Sequence, residues 1–190
     1  MEKLFQYLQS LTEFSEKSWE LLQPALSVKQ YQKNELLLQE GEICISLFYI
    51  SKGFCKSYYD QDGDIKNTGF YFENELATNI SSFGNGTKSK FNIAACEPLE
   101  VIVLNKQPLF EAAKKSSEIE ASGRCCIRKF ATKQEEFSNL FKLYSAQERL
   151  EYIEDQYPEM IQRIPLTQLA SFLGVARETL SRIRKRRLSE

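Results

Sequence analysis

The stretch SFLGVARETLSRIRKRR, Ser171 to Arg187, decides how the whole chain is read. On charge alone, its second half is a solvated basic tail. The apolar residues around it say otherwise. Leu166, Leu169, Ala170 and Leu173 line one face of a short helix. Gly174 follows where a helix commonly ends in a left-handed residue. Val175 fills the corner, and a second helix starts at Arg177 with Leu180 and Ile183 as its buried positions. Two short helices joined by a brief turn containing glycine make a helix-turn-helix. A mere tail has no need of Leu169, Leu173, Leu180 and Ile183.

The second helix has the side chains that major-groove reading needs. Arg177 and Glu178 fall in its first turn, where such a helix meets base edges, and Arg182 lies on the same side. Arginine offers two donors that match guanine O6 and N7, and glutamate accepts from cytosine N4. Thr179, Ser181, Arg184, Lys185, Arg186 and Arg187 are candidate phosphate contacts, which supply affinity without selecting sequence. The expected N-cap, Ala176, is a poor one; replacing a good cap by alanine costs ~1 kcal/mol. Glu178 at the positive helix end offsets part of that.

Charge along the remaining chain fits this reading. The 190 residues are 42% hydrophobic with a net charge of −1. Residues 163–190 hold seven Lys/Arg against two Asp/Glu, a net +5, and residues 1–162 hold 18 against 24, a net −6. An acidic body with one basic end suits a partner that is a polyanion. The sequence has no histidine. That removes the commonest general base, metal ligand and triad member, so an enzyme is not expected. The five cysteines, Cys44, Cys55, Cys96, Cys125 and Cys126, form no C-x-x-C pair, so neither a zinc site nor a disulfide framework is expected. Cys125-Cys126 reads best as small apolar residues in a helix interface, with redox sensitivity as the other reading. DQDGD, Asp60 to Asp64, lacks the spacing of a calcium loop and reads as a hairpin turn. The N-terminal segment carries acids and is no signal peptide. No apolar run approaches the ~18 residues of a membrane span. A cytoplasmic protein with no membrane partner is expected.

Three regions precede the basic end. A helix is expected from Leu4 to about Leu26. A β-rich region follows from about Val28 to Leu104, in runs such as ELLLQEGE, SLFYISKG, FCKSYYDQDGD, NTGFYF, FNIAA and LEVIVL. Turn residues recur at regular spacing, which suggests a sandwich or barrel-like roll. From Pro108 to Tyr144 the chain reads as helix. Ile127, Phe130, Phe137, Leu140 and Phe141 form one apolar stripe, expected to be buried against a second copy. Ser145 and Glu148 form a capping box that starts another helix, which Pro158 should stop. The expected segments are 1–107, 108–144 and 145–190.

LGVARETLSRIRK, with its Arg-Glu-Thr core followed by an apolar residue, a small residue and Arg, resembles the recognition segment of the Crp/Fnr family of bacterial transcription regulators. The order of parts resembles the family over nearly the whole chain. The resemblance implies an α+β fold: an N-terminal β-roll of the cyclic-nucleotide-binding type, a long dimerisation helix and a C-terminal helix-turn-helix of winged-helix type. It implies a homodimer bound to an inverted repeat in double-stranded DNA, with RNA polymerase as a further partner. Half-sites ~34 Å apart follow from such docking. It also implies an effector pocket. Cyclic-nucleotide binders carry Gly-Glu-Leu, whose glutamate takes the ribose hydroxyl, and a later Arg-Ser for the cyclic phosphate. Here those positions are Asn74-Glu75-Leu76 and Lys88-Ser89, with Lys133 and Gln134 where the adenine is met. A lysine lacks arginine's bidentate fork. The candidate effector residues are therefore Glu75, Lys88, Ser89, Lys133 and Gln134, for cAMP or another small anion. The departures disfavour cAMP, and no cofactor is required. The competing reading is a ligand-sensing module whose basic end meets a protein or membrane partner.

Overall fold

The computed structural model describes residues 1–187, with side chains through Arg186. Its chain packs as two units. One contains Met1–Tyr58 and Phe70–Phe130; the other contains Tyr59–Gly69 and the chain from Ala131 onward. The packing boundaries differ from the segments 1–107, 108–144 and 145–190. One falls within a helix, and a hairpin tip groups with the C-terminal part.

In the first unit, the expected Leu4–Leu26 helix is two helices, α1 (Glu2–Leu11) and α2 (Glu16–Leu22). Thr12 is extended, and Ser15 restarts the helix by accepting from the Ser18 amide at 3.3 Å. The strands are β1 (Leu26–Tyr31), β2 (Leu36–Leu38), β3 (Ser46–Lys52), β4 (Cys55–Gln61), β5 (Asp64–Tyr71), β6 (Leu76–Ala77), β7 (Asn92–Ala95) and β8 (Leu99–Asn105), with α3 (Ile80–Asn85) between β6 and β7. The strands form two four-stranded sheets, ordered β1-β8-β3-β6 and β2-β7-β4-β5. β8 explains the roll. It pairs antiparallel with β1 and β3, and its alternate residues serve two cores. Leu99, Val101 and Val103 join the cluster of Phe48, Ile50 and Ile93; Ile102 and Leu104 join that of Leu4, Leu22 and Tyr49. A strand buried on both faces reads as a continuous apolar run, which is why LEVIVL is so plain. Gly53 ends β3 at φ +83°, and a Cβ there would lie 2.6 Å from the Pro98 carbonyl, so only glycine fits.

The helical region beyond β8 is also interrupted. α4 (Lys106–Lys115) and α5 (Ser117–Leu143) meet at Ser116, which is extended. Its hydroxyl accepts from the Ile119 amide at 3.3 Å and lies 2.7 Å from the Ser18 hydroxyl. A serine that caps the next helix outcompetes helical continuation. The expected single stripe on α5 divides. Phe130 packs into the core of the first unit, and Ile127 points outward at 60% exposure. Phe137, Leu140 and Phe141 belong to the second unit.

That second unit is helical: α6 (Ala146–Gln156), α7 (Pro158–Arg163), α8 (Leu166–Leu173) and α9 (Arg177–Arg187). The Ser145–Glu148 capping box opens α6 as expected. Pro158 does more than stop it. It occupies the first turn of α7, where its missing N–H costs nothing. The core contains Leu150, Ile153, Leu169, Leu173 and Leu180, all fully buried. Phe172 meets the rings of Phe137 and Phe141 edge-on at 5.4 and 5.6 Å. The 59–69 segment turns at Asp62 and Gly63, both with positive φ, and the Gly63 amide donates to Asp60 at 2.8 Å. It is a hairpin turn, and no metal-ligand cluster occurs among the described residues. The Ser171 hydroxyl on α8 donates to the Ile65 carbonyl at 2.8 Å and accepts from the Asn67 amide at 3.1 Å. As to the winged-helix expectation, no strand follows Asn105 among the described residues. No helix among them is long and apolar enough to cross a membrane.

Candidate nucleic-acid interface and effector cassette

α8 and α9 are joined by a tight corner. Gly174 sits at φ +70°, ψ +32°, and the Val175 amide reaches back to the Ala170 carbonyl at 3.0 Å. α9 buries Leu180 completely and Ile183 partly, and so turns its opposite face outward. Its backbone begins cleanly despite the alanine before it: the Leu180 amide donates to the Ala176 carbonyl at 3.1 Å.

The outward face carries Arg177, Glu178, Arg182, Lys185 and Arg186, all exposed. Arg177, Glu178, Ser181 and Arg182 line a cleft of about 300 Å³ with Leu166 of α8 as an apolar wall. Arg182 Nε donates to the Glu178 carbonyl at 3.4 Å, which steadies that side chain along its own helix. Ser181, expected to be a phosphate contact, therefore lines the same cleft as the three expected base readers. At 100° per residue, it falls within the arc of about 140° that runs from Arg177 to Arg182. The helical period in the sequence already holds that signal. Thr179 and Arg184 are half-buried. One terminal nitrogen of Arg184 is buried without a hydrogen-bond partner. The Arg187 side chain lies outside the described residues.

The effector cassette lies in the first unit and is built differently. Asn74 adopts a left-handed backbone at φ +66°. Asparagine tolerates that conformation best after glycine. Its side chain accepts from Tyr49 Oη at 2.9 Å. The Glu75 carboxylate accepts from the Phe72 amide at 2.9 Å, closing the turn before β6. α3 follows, capped by Asn79 and ended by left-handed Gly86. Ser89 is 2% exposed, with its hydroxyl donating to the Phe91 carbonyl at 2.6 Å and accepting from Asn79 Nδ2 at 2.9 Å. Lys88 is exposed. The remaining two candidates, Lys133 and Gln134, lie on α5 in the second unit. Lys133 Nζ stands 5.7 Å over the Tyr157 ring, and Gln134 is exposed. No single unit brings the five together.

Cys55, Cys96 and Cys126 are chemically quiet. Burial pushes Cys126 up to about 11, against a partial lowering by its hydrogen bond with Tyr7. Burial likewise pushes Cys96 up to about 11 and raises Cys55 well above its usual value. These groups stay protonated at neutral pH, the opposite of what a reactive thiol needs.

The cyclic nucleotide-binding domain family matches residues 28–116. Among solved structures, FixK2 from Bradyrhizobium japonicum is similar at 18% identity, covering 85% of this chain and 83% of its own, with a TM-score of 0.71. The catabolite activator protein of Thermus thermophilus is similar at 14% identity, with 94% and 85% covered and a TM-score of 0.58. The c-di-GMP responsive global regulator CLP of Xanthomonas campestris is similar at 16% identity, with 92% of each chain covered and a TM-score of 0.66. No relative was found among curated protein sequences. Residues 28–116 thus match the cyclic nucleotide-binding domain family, within a chain whose fold is similar to that of FixK2, the catabolite activator protein and CLP.

Proposed function

We propose that this protein is a cytoplasmic, sequence-specific DNA-binding transcription regulator that acts as a homodimer. The observation that carries the reading is the α8–α9 pair. One face of α9 is anchored by Leu180, and the other presents Arg177, Glu178, Ser181 and Arg182 around an open cleft. In this reading α9 enters the major groove. Arg177, Glu178 and Arg182 read base edges with Ser181 between them, and Leu166 offers an apolar surface to a thymine methyl. Lys185 and Arg186 hold phosphates, joined by Thr179, Arg184 and Arg187 at the margin. α5 supplies the dimer contact through its outer face, where Ile127 is exposed and the space beside Gly123 is open. RNA polymerase is the further partner that the family resemblance adds.

The sensor domain does not take cAMP in the manner of the family's cyclic-nucleotide binders. Ser89 spends its hydroxyl on the chain itself, and the exposed Lys88 stands where a bidentate arginine is needed. Selection of bound duplexes from a random DNA pool, with and without cAMP, tests both statements. An inverted repeat recovered equally in the two arms is the expected result. Equal binding of selected and random DNA at two salt concentrations would leave instead a sensor module whose basic end meets a protein or membrane.

A further inference from the structure

Arg149, in the first turn of α6, bonds to carbonyls at the ends of two other helices. Its Nη2 donates to the Phe141 carbonyl at 2.8 Å and its Nε to the Tyr144 carbonyl at 3.0 Å, both at the C-terminal end of α5. Its Nη1 donates to the Leu173 carbonyl at 3.1 Å, the last residue of α8. The guanidinium also lies 5.5 Å over the Phe141 ring. Carbonyls at helix C-termini have no partner within their helix and carry the negative end of its dipole. A cation is therefore well placed there. A planar guanidinium does more, because its donors point in fixed directions. Three bonds from one rigid group fix the end of α5 against the end of α8, immediately before the Gly174 corner that aims α9. A Cβ on Gly174 would sit 3.8 Å from the same Nη1, so the clamp closes directly on that corner.

We infer that Arg149 is a positioning residue that sets the angle of the α8–α9 pair relative to α5, and so sets the half-site spacing the dimer accepts. The inference rests on the DNA-binding, homodimeric reading above. Under that reading α5 lies at the two-fold axis and α9 on the DNA. A rotation at the joint between them moves two recognition helices in opposite directions. Binding of one half-site does not feel that rotation, whereas binding of two does.

The test uses the full chain in wild-type form and as Arg149→Gln and Arg149→Lys. The probes are the inverted repeat recovered by selection, the same repeat with its spacer lengthened or shortened one base pair at a time, and a duplex with one half-site. The wild type should show a sharp optimum in spacing. Both variants should lose about tenfold at that optimum and respond less to spacing, while single half-site affinity changes less than about threefold. Arg149→Lys keeps the charge without the fork, so it decides the matter if Arg149→Gln melts too low to assay. A wild-type spacing profile in Arg149→Lys overturns the inference. So does a uniform loss on every duplex including the single half-site, which would mark a purely stabilising role. Failure of the underlying reading is visible separately, in a wild type that binds inverted repeats no better than random DNA.

Discussion

The cassette of β6, α3 and β7 and the outward face of α9 both carry polar side chains but use them in opposite ways. In the cassette, Ser89, Asn79, Ser82 and Thr78 are buried and bonded to one another or to the backbone. On α9, Arg177, Glu178 and Arg182 stand in solvent at the mouth of a cleft, while the apolar work of the helix is done by Leu180 on its far side. A buried polar group must be satisfied by the protein itself or the fold loses stability. Once satisfied, it has little left for a ligand. Exposed charges cost the fold nothing and remain available. The contrast shows where in this molecule recognition chemistry is still unspent.

The most severe way to break the contrast is to detach α9. Leu180→Ala should cost ~2–5 kcal/mol, because its side chain on α9 is fully buried. A urea titration should show the loss, and gel shifts should show weaker binding to all DNA. Arg177→Ala should leave the urea midpoint in place but weaken specific binding by ~1–3 kcal/mol and relax one base position in a repeated selection. Equal loss on specific and random DNA would remove Arg177 from base reading. On the closed side, Ser89→Ala strips an acceptor from Asn79 and a donor from the Phe91 carbonyl. It should lower stability by ~1–2 kcal/mol. Millimolar cAMP should not shift the melting of either form, since a ligand stabilises only the state it binds. Arg186→Ala should weaken specific and random DNA alike and lower the salt slope by ~1.

The smallest effect is one of pH. Burial and the hydrogen bond to Glu136 push Tyr152 up to about 12 from the usual 10. The folded state thus holds a proton that the unfolded chain releases first. Its contribution is complete below about pH 10 and is lost as pH rises toward 12. Unfolding titrations across that window should be flatter in Tyr152→Phe than in wild type. An identical pH slope in both would remove Tyr152 from the alkaline response.

Much of the fold and of the candidate interface is legible in the order of residues. The Gly174 corner, the buried Leu169, Leu173 and Leu180, the start of α9 and the Ser145–Glu148 box all follow from residue type and a period of 3.6. LEVIVL and SLFYISKG announce the two central strands because both of their faces are covered. The misses have particular causes. Ser15 and Ser116 cap new helices, and a serine in a polar run looks the same whether it caps or merely lies on the surface. Residue type alone assigns Ser181 to phosphate, although its place in the helical turn puts it between Arg177 and Arg182. The α5 stripe is legible as apolar but not as divided, because periodicity records that a face is buried and not what buries it.

By itself, the sequence determined the local events: which residues turn, cap and alternate, and that one helix carries a cationic face over an apolar back. These depend on residues a few positions apart, whose geometry the backbone imposes. Only the tertiary structure decided which partners those faces meet. It assigned Phe130 to one core and Phe137 and Phe141 to another, spent Ser89 on Asn79 and Phe91, and placed the Arg149 guanidinium across the ends of α5 and α8. Such pairings join elements far apart in the chain and are selected by packing and by the need to satisfy buried polar groups, which no local period encodes.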